Sequence, residues 1–324
     1  MKERDYYFDN LKAFLIISVI IGNSLEYANP TSINPHYFIL ILYIFHMPLF
    51  TFVSGYFCKK STRSTQSKVI DIFKIYVGAQ IFYHLLDKFF FKNYTSRLEF
   101  FSPQWTLWYL LSIIFWYILA DFIKDKKKWF IFSLLLSLYI GFDNGVGSYA
   151  SISRTFFFLP FFVAGMALNK ENIMKLKEHK KVLIGASTII LVVLYYLSDY
   201  IPVELFFEYT KYTFYFDTPG FPFFVRVFHY LGAFTVGALI LSLVPKKKTI
   251  LHTLGANSLI MYITHSGITK ILFKWRLIEY SSPIRVFISE GIVLFVTILV
   301  TISYIRIKGH IKEKRKHGQT TDVM

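Results

Sequence analysis

The chain contains ten long apolar segments, each separated from the next by a polar connection. A helix needs about 20 mostly apolar residues to cross a bilayer, because each residue adds roughly 1.5 Å across a hydrocarbon core about 30 Å thick. The sequence therefore predicts an all-α fold, a polytopic membrane bundle of about ten transmembrane helices. The predicted spans are 11–29, 38–58, 69–91, 105–123, 129–143, 154–169, 182–199, 223–244, 252–273 and 286–306.

The composition agrees with a membrane class. Of the 324 residues, 54% are hydrophobic and only 17% are charged, which is little charge for a soluble domain of this length. The formal net charge is +16, but the basic residues punctuate apolar runs instead of clustering on one basic surface. We therefore expect the lipid bilayer as a partner and no nucleic acid.

Connections that are rich in basic residues alternate with connections that are poor in them, and this alternation predicts the orientation of the chain. The rich ones fall on one side of a ten-span topology, and that side is expected to be the cytoplasm. The prediction is a multi-pass protein of the cell membrane with both termini cytoplasmic, a transmembrane domain over 1–310 and a disordered basic tail over 311–324. The basic connections hold Lys59 to Lys68, Lys124 to Lys128, Lys170 to Lys181, Lys246 to Lys248 and Arg306 to Lys316.

Polar residues inside the first span form a predicted stripe. Lys12 and Asn23 are eleven residues apart, which is three helical turns plus about 20°, and Glu26 follows one turn later. The three side chains therefore share a face and should point into the bundle, because polar groups at bilayer depth need a partner or a function.

Two further spans carry polar groups at depth. His46 lies beside Pro48 in the second span, and structural and functional roles are equally open for it. Asn257 and His265 give the ninth span a comparable polar face.

Residues near the predicted outer surface have two interpretations. Arg154 either binds a polar acceptor or extends to lipid headgroups, and Trp105 and Trp108 either stack on sugar or belong to an aromatic belt. We interpret Arg226 as reaching for headgroups and His229 as interfacial. The acidic and aromatic loop at about 200–222 either covers a site or is a solvated connection.

Six sets of segments carry a resemblance: Arg4 to Lys12, Gly22-Asn23 with Glu26, Phe45 to Phe50 with Ser54 to Tyr56, Trp105 to Tyr109, Arg154 with Pro160 to Phe162, and Gly255 to Leu259 with Tyr262 to His265. Together they resemble the membrane-bound acyltransferase-3 family, with the fucose 4-O-acetylase-like proteins as the nearest branch. The resemblance implies a ten-helix O-acetyltransferase that takes an acetyl group from cytoplasmic acetyl-CoA. The implied acceptor is a hydroxyl of a cell-surface polysaccharide or lipid-linked glycan, and no metal is expected.

One position departs from the family pattern, which has a basic residue, ten intervening residues and a catalytic histidine. Lys12 matches the basic position, but Asn23 stands where the histidine is expected. A carboxamide keeps hydrogen bonding yet has no useful basicity. The chain is then either an engineered, catalytically impaired His-to-Asn form, which we favour, or a natural variant that uses His46, His265 or Glu26.

The remaining roles complete a hypothesis for the site. Catalysis is assigned to position 23 with Lys12, Glu26 and His46. CoA phosphates are expected to bind Lys12 and basic residues of the cytoplasmic connections. The acceptor is expected to bind five residues that lie near the outer surface or within the spans. The CoA set adds Lys59, Lys60, Arg63 and Lys68, and the acceptor set is Arg154, Trp105, Trp108, Asn257 and His265. The alternative is a non-catalytic glycan exporter or transporter on the same scaffold, which would not need to bind CoA.

Overall fold

The computed structural model describes residues 5–29 and 35–321, with side chains as far as residue 311. Every regular element within these ranges is helical, which confirms the all-α class. The α-helices are α1 (Tyr6–Ala28), α2 (His36–Lys60), α3 (Thr65–Leu85), α4 (Trp108–Ala120), α5 (Lys126–Ile140), α6 (Ile152–Ala167), α7 (Lys170–Lys175), α8 (Lys180–Leu197), α9 (Val203–Phe207), α10 (Gly220–Leu243), α11 (His252–Ala256), α12 (Ser258–Lys274) and α13 (Pro283–Thr321).

Long apolar helices make this a multi-pass membrane protein. Within the described ranges, seven helical segments are long and apolar enough to cross a membrane, and Trp105–Ala120 is a shorter apolar helix. The count of ten spans stays a prediction. The predicted cytoplasmic termini include residues 1–4 and 322–324, which lie outside the described residues. The seven segments are Tyr6–Ala28, His36–Lys60, Thr65–Phe90, Tyr149–Ala167, Lys180–Tyr200, Gly220–Leu243 and Pro283–Ile311.

Most predicted span ends lie within a few residues of the observed helix ends, but two predictions differ more. The span predicted at 252–273 is interrupted at Asn257, whose φ of −116° and ψ of 21° separate α11 from α12. The last helix continues to Thr321, past the predicted start of a disordered tail at residue 311. The domain boundary at that point stays a prediction.

One compact unit, the first unit, comprises Met1–Ile33 and Lys248–Met324. In it α1 packs against α11, α12 and α13, and α12 packs against α13. Gly255 lets the backbones of α11 and α1 touch, because a Cβ there would lie 1.7 Å from the carbonyl oxygen of Asp9. A side chain at position 255 is therefore excluded.

The other compact unit, the second unit, is Asn34–Lys247. Its centre is the crossing of α2 and α6, which is close because each helix presents a glycine to the backbone of the other. A Cβ on Gly55 would lie 2.0 Å from the Phe162 carbonyl oxygen, and a Cβ on Gly165 would lie 2.0 Å from the Phe52 carbonyl oxygen. Around this pair, α5 packs on α6, and α10 packs on α2 and α8.

Candidate functional site

A polar layer lies near the start of α1 in the first unit. The Lys12 Nζ is 3.0 Å from Oδ1 of Asp9, one turn earlier on the same helix. The buried Asn10 accepts a hydrogen bond of 2.6 Å through Oδ1 from the hydroxyl of Thr249. The predicted basic position is thus half of an ion pair within the helix.

A second polar layer lies near the end of α1, around Asn23 and His265. The Asn23 amide nitrogen donates to the Val19 carbonyl at 2.9 Å and lies 3.5 Å from Nε2 of His265, a long contact. The Nδ1 of His265 is 2.8 Å from the Tyr262 carbonyl oxygen. Since a carbonyl oxygen only accepts, we assign the ring proton to Nδ1, and the lone pair on Nε2 faces Asn23.

Glu290 joins this second layer and was missed in the sequence. Its side chain is buried in α13, with Oε2 accepting from the Ser24 hydroxyl at 2.5 Å and Oε1 accepting from the Tyr280 hydroxyl at 3.0 Å. Tyr280 lies before α13, and burial raises the pKa of its hydroxyl, so that it keeps the proton it donates. An acid inside the apolar segment 286–306 was the available signal, because such a group needs partners in lipid.

The two layers do not form the continuous stripe that the sequence predicted. Ile16 and Val19 lie between Lys12 and Asn23 on the same face, and their side chains are 0% and 1% exposed. Helical spacing placed Lys12 and Asn23 correctly on one face, but it does not show that the positions between them are apolar. Glu26 is half-buried one turn beyond Asn23.

His46 lies in the second unit and is 1% exposed. Its Nδ1 is 2.6 Å from the Leu42 carbonyl oxygen, so the proton is on Nδ1. The Tyr43 ring lies 4.7 Å from the imidazole, centroid to centroid. His46 therefore binds a carbonyl of its own helix, one turn earlier.

The structure brings three predicted acceptor residues together in the second unit. The Arg154 guanidinium carbon lies 4.4 Å from the Trp105 ring centroid and 5.0 Å from that of Trp108. Its Nε donates to the Phe207 carbonyl at 2.8 Å. Trp105 is 37% exposed while Arg154 is buried, so an aromatic ring stands between the cation and the surroundings. Binding of an acceptor here stays a prediction.

Arg226 and His229 correct the sequence analysis, because both are buried in an ion cluster with Glu208. Arg226 Nε lies 2.7 Å from one carboxylate oxygen of Glu208, and His229 Nδ1 donates to the other at 3.0 Å. All three side chains are at most 4% exposed. Neither headgroup binding by Arg226 nor an interfacial His229 is compatible with this burial. The signal was an Arg and a His three residues apart, after a loop that contains acids.

Packing around this cluster excludes water from it. The His229 ring stacks on Phe206 at 4.3 Å between centroids, and the Arg226 guanidinium lies 4.7 Å from the Tyr212 ring centroid. Burial raises the pKa of Tyr212 to about 12, and its hydroxyl donates to the Leu138 carbonyl at 2.9 Å. The Nε2 of His229 has no hydrogen-bond partner among the residues that the structure describes.

The remaining predicted residues have local contacts. The Asn257 amide donates to the Thr253 carbonyl at 2.8 Å, at the junction of α11 and α12. The four other basic residues predicted to bind CoA lie at the end of α2, in the connection after it and in the first turn of α3, and each contacts a neighbour. These contacts join Lys59 to Asn169, Lys60 to the Tyr56 ring, Arg63 to Asp71 and Lys68 to Cys58.

Comparison with models of known families gives a match over nearly the whole chain. The family model described as an acyltransferase domain, acyltransferase-3, matches residues 5–306. No curated protein and no solved structure matches the chain. The family model does not distinguish branches, so the fucose 4-O-acetylase-like branch stays a prediction. The match includes both polar layers and the ion cluster, and the chain belongs to the acyltransferase-3 family.

Proposed function

We propose that this membrane acyltransferase moves an acetyl group from cytoplasmic acetyl-CoA to a hydroxyl of a cell-surface polysaccharide or a lipid-linked glycan. The family supports acyl transfer. The acetyl donor and the glycan acceptor rest on the similar segments described above. The observation that carries the mechanism is the buried His265, whose Nε2 lone pair lies 3.5 Å from the Asn23 amide.

In the proposed reaction His265 is the general base. Its Nε2 takes the proton of the acceptor hydroxyl while the hydroxyl oxygen attacks the thioester carbonyl carbon. The tetrahedral intermediate collapses, the carbon–sulfur bond breaks, and the CoA thiolate takes the proton back from Nε2. The Nδ1 proton is held by the Tyr262 carbonyl throughout, which fixes the tautomer.

Asn23 then has a role that a carboxamide can fill. One of its amide protons is bound to the Val19 carbonyl, and the second is directed to His265. When the acceptor hydroxyl replaces Asn23 as the donor to Nε2, this second proton becomes available for the oxyanion that forms on the thioester carbonyl. Donors directed at such an oxyanion are worth about 10² to 10³ in rate.

The test is transfer from labelled acetyl-CoA to glycan by the protein in liposomes. We expect transfer by the unaltered chain and a loss of about 10² to 10⁴ in His265→Gln, because general-base assistance contributes that much. His84→Gln, at a half-buried histidine of α3, is the matched control and should keep full activity.

Two results would overturn parts of the proposal. Full activity in His265→Gln, with a gain of 10² or more in Asn23→His, would mean that the chain is the impaired form considered from the sequence. Undetectable binding of CoA in calorimetry would favour the exporter or transporter instead.

A further inference from the structure

An apolar groove lies in the second unit among α2, α5, α6 and α10. Its volume is about 400 Å³, within the usual range for small-ligand sites. The groove exists because α6 and α10 present small side chains to it, which leaves space between the two helices. These are Ala164, Ala167, Ala233, Gly237 and Ala238.

Two lysines line one end of this groove, in the first turn of α5. Lys126 and Lys127 contribute to its lining, and neither makes an ion pair with a described residue. The next residue, Lys128, does not line the groove and has its Nζ 3.8 Å from Oδ2 of Asp125. Lys126 is also close enough to Lys59 for the two like charges to repel. An anion at this end would relieve that repulsion.

A second groove of the same unit gives an internal comparison. Its volume is about 430 Å³, and its lining is apolar except for Thr155, with no charged residue. Ile118 and Phe156 belong to this lining. Hydrocarbon fills either groove equally well, whereas only the groove with Lys126 and Lys127 offers a partner for a negative headgroup.

We propose that the groove ending at Lys126 and Lys127 is a binding site for an anionic phospholipid. One acyl chain lies among the small side chains, and the phosphate lies against the two ammonium groups. The stretch from Ala233 to Leu241 on α10 is about 12 Å long, enough for a substantial part of an acyl chain. The sequence predicts that the connection holding these lysines is cytoplasmic, and the cytoplasmic leaflet carries the anionic lipid.

The test is lipid binding to the purified full-length protein by native mass spectrometry, with phosphatidylglycerol and phosphatidylcholine as probes. We expect one phosphatidylglycerol to bind about 25-fold more tightly than phosphatidylcholine, from roughly 5-fold for each lysine. Lys126→Gln with Lys127→Gln should remove this preference. Lys128→Gln, one residue further along α5, should leave it unchanged within about twofold.

A second pair of variants tests the acyl chain. Ala238→Phe fills the groove at a half-exposed position and should abolish the bound phosphatidylglycerol with both lysines intact. Ile118→Phe fills the other groove and should not affect it. Equal binding of the two lipids by the unaltered protein would overturn the site, and so would unchanged phosphatidylglycerol binding in Ala238→Phe.

Discussion

The two units bury an acid in different ways. In the second unit Glu208 is held by the Arg226 guanidinium, an opposite charge, and by a hydrogen bond from Nδ1 of His229. In the first unit Glu290 is held by the hydroxyls of Ser24 and Tyr280, with no cation within ion-pair distance among the described residues. Removing one partner of a buried ion pair leaves the other charge without compensation and is strongly destabilising, so the second unit uses its acid to fix the fold. The first unit keeps its acid among uncharged partners, one of which, Ser24, directly follows Asn23 in the chain.

The largest expected effect is that of Arg226→Met. The change leaves the Glu208 carboxylate buried without its cation, which costs about 3–5 kcal/mol of stability. The measurement is thermal unfolding of the detergent-solubilised protein. Glu208→Gln combined with Arg226→Met should recover part of the loss, because no charge is then left unpaired. A loss in the single variant below about 1 kcal/mol would break the contrast between the units.

His229→Leu tests whether the histidine of the ion cluster is structural. The change removes the donor to one oxygen of Glu208, and an unsatisfied buried acceptor costs about 1–3 kcal/mol. We expect a lower unfolding temperature with the transfer rate of the folded fraction retained. A rate loss of 10² without a change in stability would instead assign catalysis to the second unit.

The helices and the environment of Arg226 show where sequence reasoning succeeded and where it failed. The long apolar runs located the helices, since length and hydrophobicity alone specify a membrane span. The position of Arg226 near a predicted span end gave the wrong environment, because its partner Glu208 is 18 residues earlier and at a φ of 56° after the short helix α9. A pairing fixed by a turn of that kind is not visible in helical periodicity.

The candidate site shows the same division. Asn23 and His265 were both selected from the sequence, but their 3.5 Å contact depends on how α1 packs against α12. Glu290 was not selected, since its partners come from α1 and from the connection before α13. The spacing of residues within one helix predicts which of them share a face. A contact between two residues 242 positions apart in the sequence is visible only in the folded structure.

Glu290→Gln should have a smaller effect on stability than either change in the ion cluster. The glutamine oxygen still accepts from one hydroxyl, and loss of a single hydrogen bond costs about 1 kcal/mol. Thermal unfolding measures this loss of stability, and a double-mutant cycle with Ser24→Ala measures the coupling between the two positions. A coupling between positions 24 and 290 as large as that between 208 and 226 would erase the distinction between the units.

The smallest effect is expected for Arg63→Gln. The Arg63 and Asp71 side chains form an ion pair on the surface of the second unit, each about half exposed, and such pairs contribute about 0.2–1 kcal/mol. This variant gives the baseline for removing an arginine from an exposed pair. A stability loss as large as that of Arg226→Met would show that burial does not explain the difference between the two arginines.

The glycine crossing of α2 and α6 has a consequence for motion. Where Gly55 meets Phe162 and Gly165 meets Phe52, main chain lies against main chain, so neither helix can slide or roll past the other without atomic overlap. At Gly232 of α10, by contrast, the nearest atom is the flexible tip of Ile44, which can change rotamer. The α2–α6 pair is therefore rigid. Any conformational change within the second unit has to come from helices that contact this pair through side chains.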